Sequence, residues 1–272
     1  MKKFTMLLML LMSTLLLIAG CGTNKANPEN TAEEKNTTED LLAKVQDEGK
    51  LKIGTEGTYP PFTFHDETGE LTGFDVEIAK EVAKRLDLEP VFLETQWDAM
   101  FAGLDSKRFD MIANQVGIRP DRQEKYDFSD PYISSAAALI THESNNTISG
   151  FEDIEGLKAA QSMTSNYADL AKSYGAEIVG VEGFNQAIEL INSKRADITI
   201  NDNLSFLDFK KQKPDAPVKM VAESEDASQS GLMFRKGSDT LVEEVNKALN
   251  EMIEDGTYLK ISEKWFGEDV LK

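Results

Sequence analysis

Short apolar runs alternate with longer stretches of helical spacing along residues 51–113. The runs at 51–55, 91–94 and 111–113 predict strands. Between them, Val76, Ala79, Val82, Ala83 and Leu86 share one face of a helix over 75–86, and Trp97, Phe101 and Leu104 align on a second over 97–104. This βαβαβ order is the unit of a parallel sheet covered by helices. A second series follows, with strands at 136–140, 157–160, 178–181 and 198–200 and helices at 167–174, 185–193 and 204–211. A strand at 232–234 and helices at 239–254 and 258–265 close the chain. Two α/β lobes account for this order most economically.

The N-terminal residues break the pattern. Lys2 and Lys3 precede an apolar run over 4–18, which has the layout of a secretory leader and is short for a membrane-spanning helix. The run ends in Leu17-Ile18-Ala19-Gly20-Cys21, where small residues precede the chain's only cysteine. This is the layout of a bacterial lipobox and predicts a signal peptide over 1–21 and lipidation at Cys21; a plain secretory leader with an incidental cysteine is the alternative. Several acyl chains on one residue hold a protein at a bilayer, where a single chain binds only marginally. Residues 22–40 are rich in Asn, Thr, Glu and Lys with almost no large apolar side chain, the composition of a flexible tether. The expected location is extracytoplasmic, anchored to the cell membrane.

At 272 residues with 28% charged side chains, the chain is long enough for one large domain or two compact ones. Its net charge of −19 becomes −21 once Lys2 and Lys3 leave with the leader, so a polyphosphate backbone is repelled and nucleic acid is excluded as a partner. Neither a phosphate-binding Gly-rich loop nor a spaced glycine triplet opening a helix occurs. His65 and His142, the only histidines, are too few and too far apart in sequence for a zinc site or a serine-histidine triad, and read as surface residues. No catalytic group, metal or cofactor is expected.

The stretch GTEGTYPPFTF at 54–64, with Leu71-Thr72-Gly73-Phe74-Asp75-Val76-Glu77, resembles the polar-amino-acid family of bacterial extracellular solute-binding proteins. The resemblance continues through Leu104-Asp105-Ser106-Lys107-Arg108-Phe109-Asp110, residues 118–122 and Tyr126-Asp127-Phe128-Ser129-Asp130-Pro131-Tyr132. It ends in Asp255-Gly256-Thr257 and Glu263-Lys264-Trp265-Phe266-Gly267. Within the family the chain most resembles the cystine-binding subgroup, sharing EGTYPPF at 56–62, Trp97-Asp98 and Asn114-Gln115-Val116. The resemblance implies a two-lobe, type II periplasmic-binding-protein-like fold with the ligand cleft between lobes. The first lobe would take 41–133 plus 231–272 and the second 134–230, with two crossover strands as the hinge. It also implies a monomer that serves an ABC permease of the membrane.

A free amino acid is a zwitterion, so a site that excludes water must offer a cation to its carboxylate and an anion to its ammonium. The resemblance gives the first role to Arg122, whose guanidinium matches a carboxylate with two parallel N–H bonds. On the residues alone Arg122 serves equally in a surface ion pair with Asp121, Glu124 or Asp127. Asp202, after the 198–200 strand, is the candidate for the ammonium and equally a helix N-cap. Ser165 and Asn166 open the 167–174 helix and are placed to meet the carboxylate or simply to cap. Tyr59 and Trp97 match positions whose rings flank the ligand in the family, although Trp97 also fits a core position. Glu56, Asn114 and Gln115 form the expected specificity set, Glu56 receiving the second ammonium of a two-ended ligand such as cystine. Gly117 stands where many relatives carry Thr or Ser, leaving only its backbone amide to the ligand. Glutamine, arginine, histidine and cysteine are the alternative ligands, a ligand-sensing lipoprotein is an alternative role, and a dehydratase on the same fold would need Glu56 as its acid.

Overall fold

The structure is a computed structural model that describes residues 40–271. The expected leader, Cys21 and the tether up to residue 39 lie outside the described residues. The described chain opens with a helix absent from the sequence reading, Leu41–Glu48, N-capped by Asp40 through Leu42 N at 3.1 Å and stopped by Gly49. Leu41 and Val45, one helical turn apart, pack it onto the first core.

Two five-stranded sheets carry the fold. The first has the order Glu89–Glu94, Lys50–Thr55, Met111–Ile112, Met233–Arg235, Tyr126–Phe128. Its first three strands are parallel, and Met233–Arg235 runs antiparallel to both neighbours. The second has the order Glu177–Gly180, Lys158–Gln161, Ile198–Asp202, Ala137–His142, Val218–Glu223, with the first three parallel. The chain passes from first to second along Ile133–Ser135 and returns along Ser228–Ser230, and these two strands pair antiparallel. Thr58–Tyr59, Thr63–His65 and Leu71–Thr72 form a small three-stranded sheet. The sequence reading assigns no elements there, because strands of two or three residues show no periodicity.

Strand parity explains the second lobe. Successive side chains alternate faces. Ala137 and Leu139 enter one apolar cluster with Ile198 and Ile200, while Ala138 and Ile140 enter another with Phe184, Phe206 and Phe209. Both faces are therefore covered, as expected of a sheet flanked by helices. The alternate residues of 198–202, Thr199 and Asn201, are left for a different surface.

In the first lobe, helix Phe74–Arg85 lays Phe74, Ile78, Ala79, Val82 and Ala83 on the core with Phe62, Tyr132 and Phe234. Its entry is fixed by Gly73 at φ 129°, where a Cβ would lie 2.2 Å from the Phe62 carbonyl oxygen. Only glycine fits such an approach. Helix Asp239–Glu254 matches the sequence-predicted bounds, its apolar face being Leu241, Val245, Ala248, Leu249 and Met252.

Candidate functional site

A cavity of about 60 Å³ lies between the two sheets. On the first-lobe side it is walled by Glu56, Thr58 and Tyr59 after strand Lys50–Thr55, by Trp97 at the start of helix Trp97–Asp105, and by Asn114 and Gln115 after Met111–Ile112. Facing them are Gln161 and Ser162 at the end of Lys158–Gln161, Ser165, Asn166 and Tyr167 at the start of helix Asn166–Ser173, and Thr199 and Asn201. Val181, Gly183, Phe184 and Ala187 complete this wall. The site thus occupies the carboxyl ends of parallel strands from both lobes, where backbone polar groups are exposed and helices begin.

Glu56 and Asn114 hold each other. Asn114 Nδ2 donates to Glu56 Oε2 at 2.6 Å, and Glu56 N donates to Asn114 Oδ1 at 2.7 Å. Burial pushes the Glu56 carboxyl up to about 7 despite the Asn114 hydrogen bond that lowers it. Several polar atoms of the walls are buried with no hydrogen-bond partner: Gln115 Oε1 and Nε2, Gln161 Nε2 and Trp97 Nε1. Buried polar atoms are normally paired, so unpaired ones gathered at one cavity mark a place built for something else to bind.

Arg122 is only 6% exposed and stands behind the Trp97 wall. Its guanidinium carbon lies 5.5 Å from the Trp97 ring centroid and 5.4 Å from that of Phe101, and Nη1 donates to Gly117 O at 3.0 Å. Burial, with the charge of Arg119, brings its pKa down to about 10. No carboxylate is within ion-pairing distance among the described residues, so the expected alternative of a surface ion pair with Asp121, Glu124 or Asp127 is not what the structure shows.

Asp202 is 2% exposed and caps helix Asn203–Gln212, accepting from Leu204 N at 2.9 Å. Ser135 Oγ, on the crossover strand, and Tyr167 OH at 3.4 Å also donate to it. Burial pushes its carboxyl up to about 6 against these hydrogen bonds. No cation pairs with it among the described residues.

Of the sequence-predicted site residues, Glu56, Tyr59, Trp97, Asn114, Gln115, Ser165 and Asn166 line the cavity, and Gly117, Arg122 and Asp202 do not. Parity accounts for Asp202, which falls on the face of Ile198 and Ile200, opposite Thr199 and Asn201. The Ser165 hydroxyl caps its helix through Ala168 N at 3.0 Å and donates to Ser162 O at 2.9 Å, so it is engaged within the protein. Gln161, Tyr167 and Asn201 were missed. The rule that ligands sit at strand carboxyl ends points to Gln161, but a single polar residue there carries no periodic signal. His65 is bound to the Glu94 carboxylate at 3.0 Å on the surface, away from the cavity.

Hydrogen bonds span the cleft. Asp98 Oδ1 accepts from Thr164 N at 3.0 Å and Thr164 Oγ1 at 2.7 Å, Arg119 Nη1 meets Asp169 Oδ2 at 3.2 Å, and Ser205 Oγ donates to Pro60 O at 2.9 Å. Two sheet-centred lobes joined by two crossover strands, with polar groups of both converging on one closed cleft, define a two-lobed solute-binding protein. The chain belongs to the bacterial extracellular solute-binding proteins, family 3, whose model matches residues 51–268. It is 50% identical to the L-cystine-binding protein TcyA of Bacillus subtilis (strain 168), over 273 residues that cover 100% of both chains.

Two solved structures show how the lobes are set. The L-cystine solute receptor of Neisseria gonorrhoeae in its unliganded open conformation is 47% identical and covers 85% of this chain and 98% of its own, with a TM-score of 0.56. An ancestral arginine-binding protein bound to glutamine is 38% identical and covers 81% of this chain and 99% of its own, with a TM-score of 0.78. The less similar sequence superposes better. The one that superposes better has a ligand bound, the other is unliganded and open, and hydrogen bonds span the cleft here.

Proposed function

We propose that this protein captures an amino acid, by preference L-cystine, in the cleft and delivers it unaltered to an ABC permease. The observation that carries the reading is the pair Arg122 and Asp202. Each is a buried ionisable group with no oppositely charged partner among the described residues, and each packs against a residue of the cavity wall, Trp97 and Tyr167 respectively. Burying a lone charge is costly, and a zwitterion supplies both missing partners at once. Both groups stand directly behind the cavity wall, Arg122 against Trp97 and Asp202 against Tyr167, and from there they are assigned to the ligand's carboxylate and ammonium. Hydrogen bonds to charged groups contribute roughly 1.5–3 kcal/mol each, enough to offset that desolvation.

The preference for cystine rests on the named relatives and on Glu56, an acidic group in the wall opposite Gln161 and Asn166 that suits a second ammonium. The lobes divide at 133/134 and 230/231, and the paired strands Ile133–Ser135 and Ser228–Ser230 act as the hinge. Residues 1–21 act as the lipoprotein signal segment, cut before Cys21, which becomes N-terminal and acts as the lipid anchor that keeps a monomer beside its permease. The reading is tested by calorimetric titration of the protein with cystine, cysteine, glutamine, arginine and histidine, with recovery of the ligand afterwards. Tight binding of unaltered cystine that is severely reduced in both Arg122→Ala and Asp202→Ala is expected. Unchanged affinity in those variants removes the site assignment, and a converted product turns Glu56 into the acid of an enzyme.

A further inference from the structure

Four non-glycine residues among those described have positive φ: Asp87, Lys107, Gln115 and Lys194. Three of them are exposed at the surface; Gln115, at φ 52°, lies in the cavity wall. A left-handed backbone is unfavourable for an L-residue with a long side chain, so something must hold Gln115 there. The holder is Asp75. Its side chain is fully buried in the first turn of helix Phe74–Arg85, where burial pushes the carboxyl up to about 7, and Oδ2 accepts the Gln115 backbone N–H at 2.6 Å. No lysine, arginine or histidine pairs with Asp75 among the described residues, and its other oxygen, Oδ1, has no hydrogen-bond partner. A carboxylate buried on these terms is poorly explained as a stabilising element, because an apolar side chain would fill that position at lower cost. The Tyr132 hydroxyl lies beside this carboxyl, and the carboxyl's 2.6 Å hydrogen bond runs to the residue with the strained backbone.

The consequence falls on the Gln115 side chain. Oε1 and Nε2 are both buried and both without a partner. A primary amide in that state presents one acceptor and one donor to the cavity, the pattern that matches a ligand group carrying both an ammonium and a carboxylate, or an amide. With ordinary negative φ the same residue would leave the strand end in another direction, and the amide would not be presented as it is.

We infer that Asp75 is a positioning residue. Its carboxylate holds Gln115 in the left-handed conformation, which aims the Gln115 amide into the cleft as a specificity-determining contact for a polar group of the amino-acid ligand. Asp75 itself does not line the cavity, and it acts on the ligand through Gln115. The inference rests on the proposed amino-acid binding and adds a mechanism for its selectivity.

The test is a double-mutant cycle on the full-length protein, with L-cystine and L-glutamine titrated calorimetrically into the unchanged protein, Asp75→Asn, Gln115→Gly and the double variant. Glycine accepts positive φ without cost and carries no amide, so the strain and the contact are removed together. Each single substitution is expected to weaken binding about tenfold or more, and the double variant to bind no more weakly than Gln115→Gly alone. Equal, multiplying losses in the two backgrounds would show that Asp75 acts independently of Gln115 and overturn the inference. Should Asp75→Asn not fold, Gln115→Ala against Gln115→Gly tests the amide contact on which the inference depends. Similar losses of affinity in both, with the glycine variant melting higher, are expected; undiminished affinity in either overturns it. Failure of the unchanged protein to bind any of these amino acids overturns the reading of the cleft, and the inference with it.

Discussion

The Tyr59 hydroxyl donates to Asn201 Oδ1 at 2.6 Å, a bond between the first-lobe strand Thr58–Tyr59 and the central strand of the second sheet, Ile198–Asp202. Tyr59 also packs its ring against Phe62 at 5.2 Å, so the phenol is oriented from its own lobe before it reaches across. The bond joins the two lobes across the cleft.

Tyr59→Phe keeps the ring and removes this bond. Its effect should therefore fall on closure and not on folding: ligand affinity lower by about fivefold to tenfold, as for a net loss of roughly 1–1.5 kcal/mol, with the melting temperature of the ligand-free protein unchanged. Calorimetry and thermal denaturation check this together. A fall in melting temperature of the free protein with unchanged affinity would show that the bond serves stability.

The contacts across the cleft also show how far the sequence could be read. Helices Phe74–Arg85 and Asp239–Glu254 and the buried strands of both sheets were legible because a long apolar period records which face meets the core. Leu41–Glu48, with two buried residues, and the strands of the small sheet had too little period to register. The cavity followed the same division. Trp97, Asn114 and Ser165 stand at element ends that the pattern located, so their neighbourhood was readable. Gln161, Tyr167 and Asn201 are selected by where two lobes meet, and no local pattern encodes that. Asp202 was read correctly as a possible helix cap, but the sequence could not show that its carboxylate would also be tied to Ser135 on the crossover.

The raised carboxyl groups give a pH dependence with a defined sign. Asp202 moves from 3.8 to about 6, Asp75 from 3.8 to about 7 and Glu56 from 4.5 to about 7, all mainly through burial. Above the unfolded-state values and below the folded ones, the folded protein keeps protons that the unfolded chain has released, so the stability of the free protein falls as pH rises through this window. The denaturation midpoint without ligand is expected to be higher at pH 5 than at pH 8, and the slope to flatten in Asp202→Asn. His65, raised by its bond to Glu94, acts in the same direction but is unaffected by that substitution. Ligand binding should run the opposite way. An ammonium favours ionised Asp202, so binding near pH 6 releases a proton, measured as a dependence of the calorimetric heat on the buffer's ionisation enthalpy. Identical heats in buffers of different ionisation enthalpy would refute the contact.

Gly117 supplies the carbonyl that receives Arg122 Nη1, yet nothing in its surroundings requires glycine. Its φ is not in the left-handed region, and a Cβ would meet only Ser228 Oγ at 3.5 Å and Arg122 Nη1 at 3.6 Å, both ordinary contacts. Alanine there removes freedom from the unfolded chain at no steric cost, so Gly117→Ala should raise stability by about 0.4–1 kcal/mol in denaturant titrations. Gly117→Thr should fold as well, and it brings a hydroxyl beside the guanidinium proposed to take the ligand carboxylate. If that assignment is right, the threonine changes ligand affinity while alanine leaves it nearly constant, because only the former adds a polar group at the anion site. Equal affinities for all three proteins would place the ligand carboxylate away from Arg122.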